Sequence, residues 1–551
     1  MTRTPPPTAL LLTVTLLGCD AVDWADKWSE LVEDSGLDSG LGSPVDYHLD
    51  AYDKSVVDTK CVGFSSAVME WRLPSISGEF TGLPALHTTE LSTSRQQNGE
   101  SLGLYVKTLD ITGDGVHDLV VTWDEADLSV GSAHWLVYEG GAGGFSATAT
   151  QWTLPPIAGD FPGLAPFYSV SVSGARTIDG VGPSEAYRAE TFDITGDGVN
   201  DLVLTRDGSQ AGVSDTGWLV YEGGPGGFST TGTRWRLPKL EGIFRAGGPF
   251  YGLSGARERV VRGADKAYYF ETFDVAGDGV SDLVITWDEV DPDSGTAYWL
   301  VYSGGARGFS TTATRWTLPP VLGEFQFIPP FHVSSDDSVR HFFGESYRAD
   351  YSTFDITGDG VSDLVTTWDE MDRDVGNKYW LVFTGGSEGF STTATEWTLP
   401  LIPGRFNWPP FLDLSMSSGR AVDDDYTVNY YNTSTFDITG DGVTDLVVTA
   451  DELDWNIGSE YWLVYRGEAS GFSTTAIRWA LPSTDLGYTT YPPLYKTDIS
   501  AVHLIAYEFF DYFTSTFDIT GDGVPDLVIT YDGVDENLGT RYWLVYEGLC
   551  E

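Results

Sequence analysis

The sequence is short of cysteine, histidine, methionine and positive charge. Its 551 residues include three Cys, seven His and four Met, and 30 Lys and Arg stand against 81 Asp and Glu, a formal charge of −51. So few cations argue against nucleic acid and against anionic membrane surfaces, because phosphate recognition needs clustered Lys and Arg. The histidines do not recur and no Ser or Cys sits in a nucleophile motif, so no catalytic constellation is legible and an enzyme is not expected. The apolar run over residues 9–17 is too short to span a bilayer. What is plentiful is material to bury: 41% hydrophobic residues, 14% aromatics and 19 Trp make this a folded acidic protein rather than a disordered one.

The N-terminus, MTRTPPPTALLLTVTLLGCD, reads as a secretion signal over residues 1–18. Leu16, Leu17, Gly18 and Cys19 resemble the lipobox of bacterial lipoproteins. That resemblance implies acylation of Cys19 and a place in the bacterial cell envelope, with membrane contact only through the lipid; an ordinary cleaved signal and secretion is the alternative. Residues 19–60 are acidic and Ser/Gly-rich and read as a flexible tether, with Trp24, Trp28 and Leu31 at helical spacing. Only Cys61 and Cys550 then remain, and two cysteines in an exported chain suggest a disulfide; unpaired thiols or an intermolecular bond are the alternatives.

The chain is an array. Asp110, Asp193, Asp274, Asp355, Asp437 and Asp518 each open a loop of the type FDITGDGVSDLV and stand 83, 81, 81, 82 and 81 residues apart. Every unit carries an aromatic-rich lead, the loop, an apolar run such as DLVTTWD, a YWLVY-type run, a glycine cluster and a segment such as GFSTTATEWTLP. Short runs rich in β-branched and aromatic residues between Gly and Asp turns predict four strands per unit, and six such units predict an all-β, six-bladed β-propeller of four-stranded antiparallel blades over residues 61–551. The first unit lacks its front and the last lacks its back. Joined, residues 541–551 and 61–74 complete one unit, so the last blade is expected to be closed by the N-terminal strand, with Cys61 bonded to Cys550 at the seam. Twelve Trp in register are expected to pack between blades.

Within each loop, oxygen-bearing residues alternate. The set is Asp110, Thr112, Asp114, Val116 and Asp118; Asp193, Thr195, Asp197, Val199 and Asp201; Asp274, Asp278, Val280 and Asp282; Asp355, Thr357, Asp359, Val361 and Asp363; Asp437, Thr439, Asp441, Val443 and Asp445; Asp518, Thr520, Asp522, Val524 and Asp526. Such spacing lets a curled backbone aim carboxylates, a hydroxyl and the carbonyl of the valine at one point, and hard oxygen ligands without His or Cys point to up to six structural Ca²⁺. Metal-free Asp-Gly turns are the alternative. These loops resemble the FG-GAP and VCBS repeats of integrin α-subunit propellers and bacterial surface proteins, whose D-x-D-x-D-G-x-x-D loop binds calcium. The resemblance implies a calcium-stabilised propeller. Thr, and Ala276 in the third copy, replace the family's acidic or amide third ligand, so weaker sites are expected, weakest at Asp274.

Strand parity sets the Asp loops opposite the long connections, which vary most between copies and are where binding is expected. Asp124, Asp207, Asp288, Asp369, Asp451 and Asp532 end the second strands on that face, either as a second ring of cation or sugar sites or as solvated turn carboxylates. Trp408 and Trp455 break the register and are possible ligand contacts. The expected function is a noncatalytic cell-envelope binding or adhesion module, monomeric, taking a protein or glycan ligand. A glycan-binding lectin is the nearest alternative and a polysaccharide-acting enzyme a more distant one.

Overall fold

The computed structural model describes residues 61–550 apart from 162, 179–183, 211, 245–247, 322–327, 343–344, 403, 407, 422–427, 484–491 and 506–507. The expected signal, Cys19 and the expected tether lie outside the described residues. The fold is an all-β propeller whose strands order into six sheets of five to eight strands, with no helix among the described residues.

Two short strands open the described chain, β1 (Cys61–Phe64) and β2 (Met69–Arg72). The sheet that follows shows the plan: β3 (Glu90–Gln97), β4 (Glu100–Leu109), β5 (Asp118–Asp124), β6 (His134–Tyr138) and β7 (Thr150–Thr153), each antiparallel to its neighbour in chain order. The run DLVVTWD of β5 is buried on both faces because sheets stack on either side of it, which is why it reads as continuously apolar rather than alternating.

The expected four strands per unit become five. The extra strand comes from the long connection: β3, β8 (Ser171–Arg176) and the strands Gly255–Val261, Asp336–Phe342, Ser415–Ala421 and Ile499–Ile505 each form a hairpin with the strand that follows. Segments such as SVSGAR and SMSSGRA are polar and rich in Ser and Gly, so their own propensity reads as loop, and pairing with a longer aromatic neighbour overrides it. The variable connections are therefore partly ordered hairpins.

The two segments expected to share a unit do meet. β2 pairs with Tyr542–Tyr546, placing Trp71 opposite Trp543 just as Trp135 stands opposite Trp152 in β6 and β7. β1 pairs with Gly548–Cys550, with Cys61 opposite Cys550. All twelve register Trp are at most 2% exposed. Each pair is met edge-on by one Phe from an adjoining segment: Phe145 lies 5.7 Å from Trp71 and 5.6 Å from Trp543. Phe228, Phe309, Phe390, Phe472 and Phe64 do the same for the pairs of Trp135, Trp218, Trp299, Trp380 and Trp462. Followed from pair to pair, these contacts return to their start.

Candidate functional site

Each Asp loop is wound around its own carboxylates. Asp110 Oδ1 accepts the amides of Gly113 and Asp114 at 2.7 and 3.2 Å, and its Oδ2 accepts that of Gly115 at 2.9 Å. Asp114 Oδ1 accepts from the Val116 amide at 2.9 Å. Asp118 is fully buried; Gly140 donates its amide to Oδ1 at 2.9 Å, and the Ile111 and Thr112 amides donate to Oδ2 at 3.2 Å. Thr112 gives its hydroxyl to that same Oδ2 at 3.1 Å. The curl requires positive φ at Gly113 and Gly115, +75° and +89°. Asp193, Asp355, Asp437 and Asp518 accept the equivalent glycine amides in their loops. In the third loop Ala276 brings no hydroxyl, and the buried Asp282 Oδ2 has no hydrogen-bond partner.

The loops also touch one another. A methyl group on Gly113 would fall 2.3 Å from the Gly198 carbonyl oxygen of the next loop, the same approach recurs from loop to loop, and Gly521 comes as close to Gly115, at 2.6 Å. Asn200 donates its side-chain amide to the Asp110 carbonyl at 2.7 Å, and Ser362 and Thr444 make the equivalent bond to Asp274 and Asp355. The aspartates that open the loops are thus gathered on one face.

Burial raises the carboxyl of the last aspartate in each loop: Asp118, Asp201, Asp282 and Asp445 to about 6 and Asp526 to about 7, with Asp363 moved the same way. The amide bonds oppose this shift, and in the third loop the charges of Asp278 and Asp274 add to it. A raised carboxyl pKa means the folded chain holds protons that the unfolded chain has released, so stability from these groups is greatest below their ordinary value and is lost as pH rises through about 6 to 7. In metal-free buffer the melting temperature is therefore expected to be higher at pH 5 than at pH 7.5, and Asp526→Asn to shrink the difference. Melting that is flat over this range, or higher at pH 7.5, would contradict the assignment.

The donor types of the loops, oxygen throughout, suit calcium, and the partnerless Asp282 oxygen is a further point of fit. Among the described residues, however, no three acidic, His or Cys side chains stand grouped as a preformed metal cage.

The opposite face differs from both readings of its aspartates. Asp124, Asp207, Asp288 and Asp451 form neither an open cation ring nor solvated turns, because each is paired with a buried arginine from the added strand: Arg95, Arg176, Arg259 and Arg420. Burial pushes Asp207 upward, but hydrogen bonds from Arg176 and Ser209 outweigh it and hold the carboxyl below its usual range. The connection residues Phe167, Phe250, Phe331 and Phe411 are buried, and their carbonyls accept the indole N–H of Trp135, Trp218, Trp299 and Trp380 at 2.7 to 2.8 Å.

One cavity of about 650 Å³ opens on this face, where β10 (Asp201–Asp207) and β11 (Gly217–Tyr221) of the second unit meet the following connection. Arg206, Asp207, Gln210, Ser214, Lys239 and Phe244 are among its walls. It forms where this unit breaks the repeat. Gly131, Gly295, Gly376, Gly458 and Gly539 hold positive φ against a proline or alanine of the next connection (Ala165, Pro329, Pro409, Pro492, Pro84). In the second unit the bulk changes sides: Ser214 takes φ +71° and Gly248 faces it, its amide donating to Ser214 Oγ at 3.0 Å, a bond no proline could make. A serine at positive φ is uncommon, and such strain gathers at functional sites.

Trp408 and Trp455 are 41% and 50% exposed, but neither lines the cavity; Trp408 leans on Trp368 at 5.2 Å. The signal that would have found the cavity was the set of departures at Arg206, Ser214 and Gly248. No protein-family model matches the chain, and no curated protein matches it.

Proposed function

We propose that the chain is a noncatalytic binding module of the bacterial cell envelope that engages its ligand on the face opposite the Asp loops. The observation that carries this reading is the cavity in the second unit, whose lining includes Arg206, Ser214 and Gly248, residues that depart from the repeat. Its buried carboxylate, Asp207, is committed to Arg176, Ser209 and Gln210, which supports binding rather than acid–base chemistry. We read the six sheets as six blades of one ring, supported by the circuit of Phe–Trp and loop–loop contacts. The Cys61–Cys550 register supports a disulfide at the seam, since Cα atoms opposite one another in an antiparallel pair lie within bridging range.

Calcium in the Asp loops, as in the FG-GAP and VCBS repeats they resemble, would neutralise the gathered carboxylates and stabilise the ring. Added Ca²⁺ is expected to raise the melting temperature at neutral pH and EDTA to lower it; melting indifferent to both removes calcium from the account. Anchoring through Cys19 predicts incorporation of radiolabelled palmitate in a bacterial host, lost in Cys19→Ala. Unlabelled wild-type chain would point to secretion instead.

For the binding face, the full chain is expected to bind isolated cell envelopes saturably. A bulky label on Gln210→Cys should block that binding, and one on Asp114→Cys should not. The reverse pattern, or no saturable binding, overturns the reading.

A further inference from the structure

In a chain with 81 acidic and 30 basic side chains, the second unit gathers arginines. Directly across β9 (Glu185–Phe192) and β10 the partners are Arg188 and Arg206, where the first, third and sixth units pair Tyr105 with Trp123, Tyr269 with Trp287 and Phe513 with Tyr531. Like charges directly opposite on a sheet are destabilising, and an aromatic pair is the stabilising choice made elsewhere in this molecule. A third guanidinium completes the group: Arg257 lies 3.2 Å from the centre of the Tyr251 ring, and Arg206 lies 5.0 Å from the same centre. Arg188 is satisfied by Glu190 at 2.5 Å. Among the described residues no carboxylate pairs with Arg206 or Arg257, and Arg257 Nε is buried without a hydrogen-bond partner. Arg206 lines the cavity, and the exposed Lys239 stands in the same wall.

Two cations thus line a concavity whose remaining wall carries Asp207, already paired with Arg176, and the exposed Asp215, beside hydroxyl and amide groups (Ser214, Thr216, Gln210) and apolar ones (Leu240, Phe244, Pro249). That mixture suits a sugar ring, which carries hydroxyls on its rim and C–H on its faces, and the volume falls in the ordinary range for small-ligand sites. We propose that the cavity binds an acidic saccharide, Arg206 and Lys239 holding its carboxylate or sulfate. This rests on the binding-module reading above and names its ligand. The anion supplies Arg206 with the counter-charge that Glu190 already gives Arg188.

The test is calorimetric titration of the full chain with a uronate oligosaccharide, a sulfated disaccharide, a neutral disaccharide, and inorganic sulfate and phosphate. At least one of the first two is expected to bind, more weakly at high salt, and the neutral sugar not to bind. Arg206→Trp, which restores the residue used by the first, third and fourth units, and Lys239→Ala, at an exposed position, should each weaken binding by about tenfold or more, the scale of a charge-assisted hydrogen bond. Lys239→Ala serves if Arg206→Trp disturbs folding, which its melting curve reports. Equal binding of the neutral sugar, inorganic anions binding as tightly as the saccharides, or affinity unmoved in a folded variant each overturn the proposal. If no acidic saccharide binds while the chain still binds cell envelopes, the ligand assignment falls and the module reading stands; if envelope binding is absent too, both fall.

Discussion

Replacing Arg259 by alanine is expected to destabilise the folded chain by about 3–5 kcal/mol, because it leaves Asp288 buried without its charge partner. The side chains are only 2% and 8% exposed, and one guanidinium nitrogen donates to both carboxylate oxygens, at 2.7 and 2.5 Å. The Arg259 guanidinium also lies 4.8 Å from the centre of the Tyr268 ring, so its loss removes packing as well as charge. The double variant Arg259→Met with Asp288→Leu should cost far less than the single one, since an apolar pair of similar volume leaves no buried charge behind. Denaturant midpoints of the full chain separate the outcomes. A single substitution costing no more than about 1 kcal/mol, the scale of an exposed ion pair, would show that water reaches this site.

Phe145→Ala is the second large effect, expected to cost about 3–5 kcal/mol by the usual penalty for emptying an aromatic site in a core. Phe145 is 5% exposed and wedged edge-on between Trp71 and Trp543, one from each end of the described chain. The informative comparison is Phe309→Ala, which empties the same wedge between Trp218 and Trp235 within one unit. If the seam is packed like every other interface, both costs fall in that same range of about 3–5 kcal/mol. A seam substitution that is nearly silent would mean that the terminal segments do not share a core.

The units, the glycine-rich loops and the meeting of the two ends were legible because each repeats a sequence pattern with a direct backbone meaning: alternating Asp and Gly for the curl, apolar runs for doubly buried strands. The added strand was not. In copies such as SVSGAR and SMSSGRA its residues are weak strand formers, and a recurring sign of it is an arginine at Arg95, Arg176, Arg259 and Arg420, each the buried partner of an aspartate about thirty residues on. Such a long-range pair has no local signature. In the folded loops, amides of the loop itself surround the carboxylates and share the work of neutralising them. The cavity was hidden for the opposite reason: a repeat draws the eye to what recurs, whereas Arg206, Ser214 and Gly248 matter because they do not.

The strand Met69–Arg72 leaves the ribosome long before its partner Tyr542–Tyr546. Until the partner emerges, Trp71 has no ladder to join, and the interfaces already formed can only curve into an open arc with a bare edge at each end. Assembly of this molecule is thus a matter of waiting. Whatever shields those unpaired edges in the interval governs how much of the protein survives.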